Sequence, residues 1–145
     1  MTDRSTGFSQ AERDAMKQRA AELREESSRG RGNKAAAQEA DVLATIEGMS
    51  EPDRALAGRI HAIVTEAAPE LRPKLWYGQP AYARGGKVVC FFRSGADDGE
   101  RFSTFGFTAE AALDQEGFWP TSYAVTDLTA DAVDRIRALV TQAVG

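Results

Sequence analysis

The stretch Ala81-Tyr82-Ala83-Arg84-Gly85-Gly86-Lys87-Val88-Val89-Cys90-Phe91-Phe92-Arg93 decides the fold. Two runs of aromatic, apolar and basic residues flank a pair of glycines. A two-residue Gly-Gly connection is a strong hairpin signal, because glycine accepts the positive φ that a tight turn demands. In the register this turn predicts, Arg84 faces Lys87, Ala83 faces Val88, Tyr82 faces Val89 and Ala81 faces Cys90. The period of two then sorts the side chains. One face carries Ala81, Ala83, Val88, Cys90 and Phe92, small enough to receive helices. The other carries Tyr82, Arg84, Lys87, Val89, Phe91 and Arg93, an aromatic and cationic surface.

Working outward, residues 101–107 and 122–125 read as further strands after a polar loop over 94–100, and residues 74–77 as a short strand or extended lead-in. Every aromatic residue except Phe8 falls between Trp76 and Tyr123. The flanks read as helices. Ser9-Gln10-Ala11-Glu12 is a capping box that opens a helix over 10–27, with a sparse stripe of Met16, Ala20 and Leu23. Asn33 is the expected cap of a second helix running to residue 48, with Val42, Leu43, Ile46 and Met49 on its buried side. Ser50-Glu51-Pro52-Asp53 opens a third helix that stops at Pro69, with Leu56, Ile60, Ile63 and Val64 as its stripe. Thr129 caps the last helix, which buries Val133, Ile136, Leu139 and Val140 and turns Asp134, Arg135 and Arg137 to water. These elements predict an α+β domain over 34–145, with a four- or five-stranded antiparallel sheet covered on one face by the third and last helices. Residues 1–33 form a helical extension and linker.

Composition narrows the function. The chain has 145 residues, with 22 acidic against 18 basic, a net charge of −4. That balance disfavours nucleic acid as a partner. No apolar run approaches a membrane span and the start does not read as a signal peptide, so a cytoplasmic protein is expected. Cys90 and His61 are each the single residue of their type. An internal disulfide and a two-histidine metal site are thereby excluded.

Several motifs have a plain structural reading. Gly30-Arg31-Gly32-Asn33-Lys34-Ala35 matches a dinucleotide fingerprint in letters, but no strand precedes it, and it reads as a linker. Cys90, on the predicted helix-covered face, reads as a small core hydrophobe, and His61 as a surface or boundary residue. Asp97-Asp98-Gly99-Glu100 offers oxygen ligands without the spacing of a calcium loop and reads as a turn. Trp76, Tyr77, Tyr82, Phe91, Trp119 and Tyr123 combine apolar area with, in most cases, a polar handle, as binding surfaces do.

Trp76-Tyr77-Gly78-Gln79-Pro80-Ala81-Tyr82, followed by a glycine turn and Lys87-Val88-Val89-Cys90-Phe91-Phe92, resembles the signature of the YdhG-like domain family. Thr104-Phe105-Gly106-Phe107 and Trp119-Pro120-Thr121-Ser122-Tyr123 are similar to later parts of it. The resemblance implies a frataxin-like sandwich and, for one branch, an intracellular iron chaperone. It brings no agreed functional residues. The expectation is a non-catalytic binding domain for a small anionic or aromatic ligand or a protein partner. Its ligand-binding residues would be Trp76, Tyr77, Gln79, Tyr82, Lys87, Phe91, Arg93, Trp119 and Tyr123, with no resident cofactor. An iron chaperone using Asp97, Asp98 and Glu100 is the second reading, and an enzyme of unknown reaction the third. Self-association is left open.

Overall fold

The computed structural model describes residues 9–28 and 31–145. Five strands, β1 (Arg72–Trp76), β2 (Gln79–Arg84), β3 (Lys87–Arg93), β4 (Ser103–Phe107) and β5 (Ser122–Val125), pair in chain order as one antiparallel sheet. Helices α1 (Gln10–Ser28), α2 (Arg31–Glu47) and α3 (Asp53–Ala67) precede the sheet, and α4 (Ala130–Ala143) follows it. The chain is thus α+β with a five-stranded antiparallel sheet. Among the described residues, no helix is long and apolar enough to cross a membrane.

The turn forms where the two glycines stand, with φ of 59° at Gly85 and 82° at Gly86. Arg84 faces Lys87 and Ala83 faces Val88, as the turn requires. Beyond that point the register departs from the straight expectation: Tyr82 pairs with Cys90 and Ala81 with Phe91. The extra residue in β3 is a bulge at Val88-Val89, and it moves Tyr82 off the cationic face. Burial supplies the reason. A straight register would set Tyr82 opposite in face to Cys90 and Phe92, whereas the bulge gathers all three on one side, where each is fully buried. There they join Phe105, with Val42 and Ile46 of α2, Ile60 and Val64 of α3, and Ile136 and Val140 of α4, in one core cluster. The opposite face carries Lys74, Trp76, Ala81, Phe91, Arg93, Thr104, Gly106, Ser122 and Ala124, as the strand pairings require.

Helix ends follow local chemistry. The Glu12 amide donates to Ser9 Oγ at 3.0 Å and the Ser9 amide to Glu12 Oε1 at 2.8 Å, so the capping box closes in both directions. Thr129 Oγ1 accepts from the Ala132 amide at 3.1 Å at the start of α4. α2 begins at Arg31, so Asn33 lies within the helix instead of capping it, and residues 31–35 are helical turns instead of linker. The alanine run 35–37 has the propensity to carry the helix back that far. Arg29 and Gly30 lie outside the described residues, and the helix crosses the expected domain boundary at residue 33. Leu43, expected inside, is 45% exposed.

α1 meets the rest of the chain through polar groups. The Gly78 amide donates to Glu22 Oε2 at 3.3 Å, and a Cβ at Gly78 would strike the Gln18 side chain. Its apolar Met16 and Leu23 stay 44% and 48% exposed. α1 is therefore held at the β1–β2 turn with little apolar burial.

Candidate functional site

Bulge and register divide the nine expected ligand-binding residues among three places and leave Gln79 in a fourth, a buried polar cluster. Tyr82 is in the core. Its hydroxyl shares a 3.0 Å hydrogen bond with His61 Nδ1, and His61 Nε2 lies 3.7 Å from Glu39 Oε2. His61 is thus buried on α3 and partnered, deeper than the surface or boundary position expected of it: the ring fills the space between α2 and β2 only because Tyr82 and Glu39 satisfy its nitrogens. Burial holds the imidazole below its ordinary pKa, against the pull of Glu39. Burial first, and then the neighbouring Cys90 and Glu39, push the Tyr82 phenol above its usual range. Burial also pushes the Cys90 thiol up to about 12, so it behaves as the small hydrophobe expected of it. None of these four lines any of the clefts described below.

The second place is the sheet face opposite the core. Trp76 lies 5.2 Å from the Tyr77 ring and 5.4 Å from Phe91, ring centre to ring centre. Phe91 lies over Gly106, where an added Cβ would come within 2.5 Å of the ring. Lys87 shares a broad depression of about 320 Å³ with Arg19, Lys74, Trp76 and Glu110. The charge available there is reduced by ion pairs. Arg19 lies 3.5 Å from Glu22. Arg93, the cation expected to lead this face, reaches Asp98 at 2.7 Å and grips Glu100 with both nitrogens at 2.9 and 3.2 Å. Its pKa is raised chiefly by the Glu100 hydrogen bond. The turn that bears Asp97, Asp98 and Glu100 is a short 3-10 segment closed by Gly99 in the left-handed region. Two of its three carboxylates are engaged by Arg93. Among the described residues, no group of three His, Cys, Asp or Glu side chains could hold a metal ion.

Gln79 serves a buried polar cluster instead of a surface. Its Oε1 accepts from the Ser94 amide at 3.4 Å. Asp53, 5% exposed at the start of α3, accepts from the Ser94 hydroxyl and from the Ala96 amide at 3.1 Å. Ser103 Oγ accepts from the Gly95 amide at 2.9 Å. The cluster pins the loop after β3 to α3.

The third place gathers the remaining two residues into a cleft. Trp119 and Tyr123, on and just before β5, line a cavity of about 240 Å³ together with Gln115, Arg135, Leu139 and Gln142. A second cavity of about 140 Å³ continues from it along β5, lined by Val125, Leu128, Ile136 and Leu139 with Asp127 at its far end, and shares Tyr123 and Arg135. The Arg135 guanidinium lies 5.5 Å from the centre of the Tyr123 ring. Among the described residues no carboxylate pairs with it. A cation resting on an aromatic face keeps its N–H donors free for an anion. The groove therefore offers apolar walls, two rings with polar handles, and one cation at the junction of its halves.

Sequence reading turned Arg135 to water, and it is exposed, but its place over the Tyr123 ring was not foreseen. The signal was the spacing of Arg135, Leu139 and Gln142 at i, i+4 and i+7, which puts all three on one flank of the apolar stripe that ends in Ile136 and Val140. What fold and groove define is an α+β domain with a cationic, aromatic cleft between a sheet edge and its last helix. Searches of family models, curated proteins and solved structures return no match.

Proposed function

We propose that the chain is a non-catalytic binding domain whose ligand seats in the Trp119–Tyr123–Arg135 cleft and joins an apolar or aromatic body to an anionic group. One observation carries the reading. Arg135 stands over Tyr123 where the two cavities meet, with no carboxylate to satisfy it among the described residues. Charged groups at sites of this kind fix orientation while the rings supply contact area. The buried positions of Cys90, His61 and Tyr82 support a binding role over catalysis, since the side chains with the most accessible acid–base or nucleophilic chemistry are committed to the core. The YdhG-like resemblance belongs to the same proposal and adds no residue to it.

The test is a ¹⁵N–¹H NMR titration that follows the Trp119 indole N–H and the Arg135 Nε–H. Benzoate and phenylacetate should shift both resonances, and benzamide and phenylacetamide should do so at least tenfold more weakly. A charge-assisted hydrogen bond contributes about 1.5 to 3 kcal/mol, which is roughly tenfold or more in affinity. Arg135→Gln should bring the carboxylates down to the level of the amides. Equal binding of acids and amides, or an affinity that ignores Arg135→Gln, would remove the reading.

A further inference from the structure

β5 ends the sheet, and among the described residues no strand pairs with its outer edge. The backbone there can be assigned group by group. The Phe107 amide donates to the Thr121 carbonyl at 2.7 Å. Residues opposed in this way exchange hydrogen bonds at alternate positions of an antiparallel pair, so Tyr123 opposite Phe105 and Val125 opposite Ser103 also bond inward. The N–H and C=O groups of Ser122 and Ala124 consequently point away from the sheet. Both residues are exposed and small, and no charge or proline lies within Ser122–Val125. Natural edges are commonly blunted by such residues, and this one is not. The opposite edge differs, since β1 runs beside α2.

The groove described above runs directly under this edge, between β5 and α4. Its two halves follow one another along the strand: the part around Trp119 and Gln142 lies toward the start of β5, and the more apolar part around Val125 and Leu128 toward its end. A strand added to the edge would send alternate side chains downward, about 7 Å apart at two residues' separation. One would enter the apolar half, and the next but one would reach Arg135.

We infer that β5 is a docking edge for an extended peptide, which adds as a sixth, antiparallel strand and places an apolar side chain two residues before an acidic one. The inference rests on the cleft reading and names the source of the ligand: the apolar body and the anion are side chains of one segment of a partner protein. Charge selects the acidic residue, because Arg135 has no carboxylate partner among the described residues. Asp127, at the far end of the groove, disfavours a second acid there. The antiparallel direction continues the sheet and sets the order, apolar first and acidic second.

The experiment selects binders from a library of random octapeptides on the intact chain and measures the enriched sequences as synthetic peptides. Enrichment of an apolar residue two positions before Asp or Glu is expected. Ala124→Pro removes one outward N–H and no bond to β4, so it should leave thermal unfolding within a few degrees of the parent and weaken the peptides at least tenfold. Benzoate, which needs only the cleft, should bind the Ala124→Pro chain as it binds the parent. Failure of benzoate on both chains would remove the cleft reading itself. Benzoate binding retained, with no peptide enriched or with peptides indifferent to Ala124→Pro, would overturn the edge proposal alone. A dimer in sedimentation that Ala124→Pro dissociates would overturn it too, by giving the edge to a second copy.

Discussion

His61 is the chain's single histidine, so its titration can be followed without ambiguity. Its folded pKa is lowered below 6.5, chiefly by burial. Between that ordinary value and the lower folded one, the unfolded chain binds the extra proton and the folded chain does not. Stability is therefore full above about pH 6.5 and is lost as pH falls toward the folded pKa. We expect an NMR titration of the imidazole to give a midpoint under 6.5. Glu39→Gln should move it lower still and steepen the acid loss of stability, because Glu39 is the group that raises it. A midpoint at or above 6.5 in the parent chain would contradict the burial account. At this scale the sequence was legible where a residue answers to its neighbours along the chain, as with Ser9 and Glu12 or Thr129. It was not legible for His61, whose partners lie 21 residues away on β2 and on a different helix.

Among elements, β3 shows how one residue governs the faces of a sheet. Its limits and its turn were readable from Gly85-Gly86 and the apolar run. Its bulge was not, because nothing local distinguishes Val88-Val89 from a regular strand; the choice is made by the core that Tyr82, Cys90 and Phe92 must share. Two deletions separate these influences. Removing Val89 erases the bulge and keeps Tyr82 opposite Cys90. It should leave a folded chain weakened by the lost burial of one valine, about 1.5 to 3 kcal/mol. Removing Phe91 instead shifts everything from Phe92 onward by one position and sends that fully buried ring to the opposite face. Cooperative unfolding, followed by circular dichroism against urea, should persist in the first variant and vanish in the second. The cleft was half legible for a related reason. Trp119 and Tyr123 stood out by type, whereas Arg135 joins them only through the packing of α4 beside β5.

For the whole molecule, α1 stands apart. It touches the β1–β2 turn through Gln18 and Glu22 and leaves Met16 and Leu23 nearly half exposed, whereas α2, α3 and α4 all feed the common core. A chain starting at Arg31 should keep a single cooperative thermal transition with a melting temperature only a few degrees lower. Loss of the transition would mean that α1 is integral to the domain. The order of the strands, β1-β2-β3-β4-β5, has a consequence for how the domain comes into being. From β2 on, each strand pairs with the one just before it, so no strand waits for a distant stretch of chain, and contacts this local favour fast folding. During synthesis each new strand can zip onto a partner that has already emerged, and the last β strand to emerge is left, among the described residues, with no strand on its outer edge.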